Sequence, residues 1–203
     1  MPLQSIAVKL LRPTQIAVGQ RLVKLKRKDL RGFERQPQEL VDYIIAHPIR
    51  VVLGPSSQAY IIDHHHLACA LLKEGFKTAP LQVEDDLSHL KPADFWHELE
   101  RRALVYPFNK FGKKRDISDI PSHLLDMEND PYRSLAGFVR MGGAFNKTLT
   151  PYVEFLWANY FRSLIKPKLL HVDFAKALRR GMHFAMDPRA SNLPGFIGKS
   201  LIQ

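Results

Sequence analysis

Strand signals stop at about residue 88. Before that point, short apolar runs rich in β-branched residues alternate with segments of 3.6-residue periodicity; beyond it, only helical periods punctuated by prolines remain. The sheet must therefore be completed within the first part of the chain. The expected fold class is α+β: a mixed-sheet N-terminal module over residues 1–88, followed by an all-helical C-terminal region over residues 89–203.

Within the first part, residues 6–8, 16–18, 21–25, 49–53, 59–62 and 79–83 read as strands. In residues 21–25 the alternation places Lys24 and Lys26 on one strand face. Residues 38–46 read as a helix burying Leu40, Val41, Ile44 and Ile45, stopped by Pro48, which disfavours helical geometry at His47. A second helix runs from Asp63 through Leu72 and ends at Gly75. In the later part, residues 93–104 read as a helix, and residues 105–127 as a long connection with Lys110, Lys113, Lys114 and Arg115 interleaved with Phe108 and Phe111. Asp130-Pro131 and Thr150-Pro151 each combine a capping side chain with proline at the first helical position. Trp157, Tyr160 and Phe161 fall on the apolar stripe of the second of these helices and read as core.

The net charge is +10, and the excess lies at the two ends. Residues 1–35 hold nine basic and two acidic residues, residues 36–88 three against seven, and residues 89–203 eighteen against eleven. Such a balance favours an anionic partner: a nucleotide, a phosphorylated metabolite or a nucleic acid. No apolar run approaches the ~20 residues that a membrane helix needs, and Lys9 interrupts what would be a secretory apolar segment. A cytoplasmic location and no membrane partner are expected. The single cysteine, Cys69, cannot form an internal disulfide or a thiolate metal cage.

The stretch most suggestive of chemistry is Tyr60-Ile61-Ile62-Asp63-His64-His65-His66-Leu67, where an apolar strand hands over to an amphipathic helix. Unpaired backbone amides and the positive end of the helix dipole make such a junction a place for phosphate or carboxylate, and histidines beside it add donors or move protons. Several uses are open to Asp63: orienting a histidine, accepting a proton from a hydroxyl, holding a cation, or capping the helix. Adjacent histidines point apart on a helix, which argues against a tight structural metal site.

The order strand, Asp63-His64-His65-His66-Leu67, Ala68 and Ala70-Leu71 resembles the D/G-x-H-R-x-x-A-L box of the ParB/sulfiredoxin superfamily. Leu11-Arg12-Pro13-Thr14-Gln15, Val18-Gly19, Val23, Lys26 and Glu39-Leu40 are similar to the "ParB-like putative nuclease" family in particular. So are Asp130-Pro131-Tyr132-Arg133-Ser134-Leu135, Arg140 and Glu154-Phe155-Leu156-Trp157 downstream. The resemblance implies a nucleotide- or phosphate-binding N-terminal domain whose ligand sits at the helix start, with ATP, ADP or CTP as candidate nucleotides, and it implies nuclease activity.

Three departures from the superfamily pattern narrow the expectation. His66 stands where a permanently charged residue is usual, so phosphate affinity from this position should fall above pH ~6.5. Cys69 lies past the position of the sulfiredoxin cysteine, and Gln20 stands where the free-serine kinases carry a glutamate, so neither of those reactions is expected. No helix-turn-helix is evident after residue 88, and sequence-specific DNA binding is not expected.

The helical region can complete the site. Arg133 and Arg140 are seven residues apart on one helix face, about 10 Å at 1.5 Å per residue; they can grip two phosphates or form a solvated face. Glu154 borders the next apolar stripe, where an ion pair with Arg133 or Arg140 or a general base is expected. The expectation is thus a phosphate- or nucleotide-handling enzyme, a nuclease or phosphotransferase. Asp63, His64 and His65 are its catalytic residues, His66, Lys26, Arg133 and Arg140 its phosphate ligands, and Gln20, Lys24 and Glu154 supporting residues. Asp63 would hold the Mg²⁺ expected of either reaction. The alternative is a nucleotide or nucleic-acid binder that breaks no bond.

Overall fold

The computed structural model describes residues 4–198, which divide into two compact units. One comprises the chain up to Val18 together with Val23–Asn129, and the other Gly19–Leu22 together with the chain from Asp130 onward. The end of the strand signals at residue 88 thus falls inside the first unit, because the helix that follows packs on that unit's sheet.

In the first unit, β1 (Gln4–Ala7), β3 (Ile49–Gly54), β4 (Gln58–Ile61) and β5 (Thr78–Asp86) form a mixed sheet of order β1-β5-β3-β4. β1 pairs with β5 and β3 with β4 antiparallel, whereas β3 and β5 run parallel, Ile49 opposite Leu81. The parallel pair requires a crossover, supplied by α3 (His65–Lys73). Short β2 (Ala17–Val18) pairs in parallel with β6 (Glu128–Asn129).

Successive residues of β3 face opposite sides, so its two faces reach two cores. Ile49 and Val51 join Val8, Leu11, Ile61, Leu67 and Leu71 beneath α3. Val52 joins Phe95 and Leu99 of α4 (Pro92–Arg101), with the Tyr60 ring 4.6 Å from that of Phe95. α3 ends as its sequence requires: Gly75 has φ +80°, and the Phe76 amide donates back to the Leu71 carbonyl oxygen.

Residues 21–25 are not a strand. They lie in α1 (Gln20–Gly32), whose buried residues Val23 and Leu30 are seven apart, two helical turns. Lys24 and Lys26 consequently do not share a face: Lys24 is exposed, and Lys26 is half-buried beside α2 (Pro37–Ala46). The expected alternation was a five-residue window cut from a longer helical period.

The second unit packs α5 (Pro131–Met141), α6 (Val153–Leu164), α7 (Pro167–Val172) and α8 (Phe174–Ala185) around Leu135, Val139, Phe145, Trp157 and Phe161. Asp130 caps α5, its carboxylate accepting the Tyr132 amide at 2.9 Å. Thr150 does not cap α6. Tyr152 occupies that position at φ +58°, and α6 starts one residue later.

Candidate functional site

The turn after β4 is built from backbone demands. Ile62 and Asp63 direct their amides at the Arg50 carbonyl oxygen of β3, and His64 then enters the left-handed region at φ 69° to start α3. Asp63 is therefore not the helix cap. His64 occupies that position, and α3 has no side-chain cap hydrogen bond. The Asp63 carboxylate accepts the His64 amide at 2.7 Å, and its other oxygen lies 3.8 Å from the Arg50 guanidinium. Arg50 also donates to Glu84 at 2.8 Å, which raises the guanidinium pKa above its ordinary value. The Asp63 side chain keeps 49% of its exposure.

The three histidines have different environments. His64 places Nδ1 2.9 Å from the Pro48 carbonyl oxygen. A carbonyl only accepts, so Nδ1 carries the proton, and Nε2 of the neutral ring is an acceptor. His65 is 3% exposed, with the Thr14 amide donating to its Nε2 at 3.3 Å and the Thr14 hydroxyl donating to Ile61 at 2.7 Å. His65 thus ties the 12–14 segment to the β4–α3 junction through both the amide and the hydroxyl of Thr14. His66 is half-buried on the first turn of α3.

Sequence reasoning missed the residues that join Lys26 to His64. The His47 ring centroid lies 6.4 Å from that of His64 and 4.4 Å from that of Tyr43. His47 donates Nδ1–H to the Tyr43 carbonyl oxygen at 2.7 Å, and Lys26 Nζ donates to the Tyr43 hydroxyl at 3.1 Å while facing Asp29 at 3.6 Å. An ammonium, a phenol and two imidazoles whose Nδ1 protons are committed to backbone carbonyls thus form a row in the first unit. The signal available in the sequence was His47-Pro48, where proline stops α2 and leaves the imidazole at the helix end.

The remaining candidates lie in the second unit. Glu154 is shared by Arg140, at 3.0 Å, and Arg133, at 3.9 Å, and the Arg133 guanidinium sits over the Phe155 ring. Gln20 begins α1, where Gly19 approaches α5 so closely that a Cβ would lie 2.9 Å from the Ser134 amide and hydroxyl oxygen. The Ser134 hydroxyl accepts the Arg21 amide at 3.2 Å, supplying the cap that Gly19 cannot.

Among the described residues no group of three or more His, Cys, Asp or Glu side chains could hold a metal ion. Cys69 is buried, and burial pushes its thiol up to about 12, so it is no nucleophile at neutral pH. In the 105–127 connection, Lys114 pairs with Glu100 and Arg115 with Asp119. No helix of the described residues is long and apolar enough to cross a membrane.

The model of the family described as "Putative ParB-like nuclease" matches residues 4–163. A search of the curated proteins finds no match. Among solved structures, the crystal structure of protein Atu1540 from Agrobacterium tumefaciens is similar, with a TM-score of 0.88 and 42% identity, over 98% of this chain and 99% of that one.

Proposed function

This chain belongs to the family described as "Putative ParB-like nuclease", and from that membership we propose that the β4–α3 turn of its first unit binds a phosphate-bearing ligand and acts on it by phosphodiester hydrolysis or phosphoryl transfer. The ligand class comprises nucleotides such as ATP, ADP or CTP, phosphorylated metabolites and nucleic acid. The observation that carries this reading is the His64 ring, whose Nδ1 proton is committed to Pro48 and whose Nε2 therefore accepts or returns a proton at a defined atom.

In this reading Asp63 accepts a hydrogen bond from the attacking water or hydroxyl. Its carboxylate is oriented for this by the His64 amide and by Arg50. His64 Nε2 takes or returns the proton. The positive end of the α3 dipole, His66 on its first turn, and the ammonium of Lys26 offset phosphate charge. The donor set of the described residues does not fit a resident metal. Mg²⁺ enters with the phosphates of the ligand, as it commonly does.

One observation favours binding without turnover as the second reading. His65 is closed against Thr14, so the expected pair of proton-moving imidazoles reduces to His64 alone. A thermal-shift screen of nucleotides, oligonucleotides and phosphorylated metabolites, with and without Mg²⁺, tests ligand class. Asp63→Asn then separates the readings: turnover lost with binding retained supports the enzyme. A bound ligand that neither the original protein nor the variant transforms supports the binder, and the absence of any hit rejects both.

A further inference from the structure

Between residues 130 and 198 the chain holds ten Lys or Arg and four Asp or Glu. All four carboxylates are committed: Asp130 to Arg162, Glu154 to Arg133 and Arg140, Asp187 to Arg189, and Asp173 to the Lys176 backbone amide as the cap of α8. Apart from Lys147, the cations left over gather on α7 and α8. Lys166, Lys168, Lys176, Arg179 and Arg180 are exposed, and none makes an ion pair among the described residues. Lys176, Arg179 and Arg180 recur at helical spacing, so they form one stripe about 6 Å long at 1.5 Å per residue, with the exposed His183 one turn further on. Most other guanidinium groups of the described chain, such as Arg27, Arg31, Arg50, Arg101 and Arg102, are paired with carboxylates.

We infer that this α7–α8 surface binds the phosphate backbone of a nucleic-acid duplex without reading its sequence. Uncompensated, regularly spaced cations are what counterion release rewards. A single-strand platform would also need exposed aromatic rings for base stacking, and Phe111, outside this unit, is the one exposed aromatic among the described residues. A membrane-surface helix would expose a broad apolar face, whereas α8 exposes no large apolar side chain and α7 only Val172. The reading concerns binding alone and does not depend on chemistry at His64.

The test measures binding of the full chain to a random-sequence DNA duplex across a salt series, with vesicles containing anionic lipid as a parallel arm. The variant Lys176→Gln/Arg179→Gln/Arg180→Gln is expected to keep its melting temperature, to weaken duplex binding at least about tenfold, and to reduce the slope of log K against log salt by about one per charge removed. The charge-preserving variant Lys176→Arg/Arg179→Lys/Arg180→Lys is expected to bind normally. Unchanged affinity and slope in the glutamine variant would overturn the inference, as would binding to vesicles but not to duplex. Because turnover is not read, loss of activity in Asp63→Asn leaves this result unaffected, and the two proposals fail separately.

Discussion

His64 donates its Nδ1 proton to the Pro48 carbonyl oxygen at 2.9 Å while its own backbone stands at φ 69°. A non-glycine residue in the left-handed region costs roughly 1 kcal/mol, more for a β-branched one. His64→Gly should therefore leave thermal stability within a few degrees of the original while removing phosphate binding. His64→Val should lower stability by about 1–3 kcal/mol. Paired melting curves and phosphate titrations check this, and a large loss of stability in His64→Gly would show that the ring is a packing element.

His65, although part of the same run, is expected to act through structure. Its Nε2 accepts the Thr14 amide in a buried setting. Truncation leaves both a cavity and an unsatisfied amide, so His65→Ala should cost about 2–4 kcal/mol in denaturant unfolding. Ligand affinity measured well below the melting temperature should change far less than in His64→Ala.

The close approach of Gly19 to α5 makes a stability prediction in the second unit. The added Cβ of Gly19→Ala meets the Ser134 backbone amide as well as its hydroxyl at 2.9 Å, so a side-chain rotation alone cannot relieve it. A loss of about 1–3 kcal/mol is expected. Ser134→Ala, which removes the cap on the Arg21 amide, should cost about 1 kcal/mol. Chemical denaturation of both variants reads the difference.

Hydrogen bonds from Arg101 and Arg102 hold the Glu98 carboxyl down at about 2 against its ordinary 4.5. A carboxylate with a depressed folded-state pKa stabilises the native state above the unfolded value, and that contribution disappears as the pH falls through the folded value. Glu98 therefore supports the fold above pH 4.5 and loses its effect between there and about pH 2. Glu98→Gln should melt with a flatter acid limb in that window, and added salt should shrink the difference because the cluster is exposed.

Local punctuation was the legible part of this fold. Pro48 ends α2, Gly75 turns out of α3 at φ +80°, and Asp130-Pro131 opens α5, each by chemistry confined to a few residues. α1 reads as a strand because Arg21 to Leu25 alternates over a short window, while the repeat that decides its geometry is Val23 to Leu30. The Tyr152 cap was missed because Thr150-Pro151 carries the stronger local signal, and a tyrosine at positive φ carries none. The run of histidines was visible, but its division of labour was not. His65 depends on Thr14 and His64 on Pro48, and such pairings exist only once the chain has folded. The row from Lys26 through Tyr43 and His47 draws on two separate helices and leaves no sequence spacing to detect.

The most direct measurement is a titration of the full chain with inorganic phosphate and with ATP, followed by nitrogen-15 NMR of the histidine rings and the backbone amides. Binding at the β4–α3 turn should move the Nε2 resonances of His64 and His47 and the amides of His65 and His66, leave the buried His65 ring resonances unmoved, and disappear in His64→Ala. Saturable shifts confined to other parts of the molecule, or none at the turn at millimolar ligand, would contradict the account.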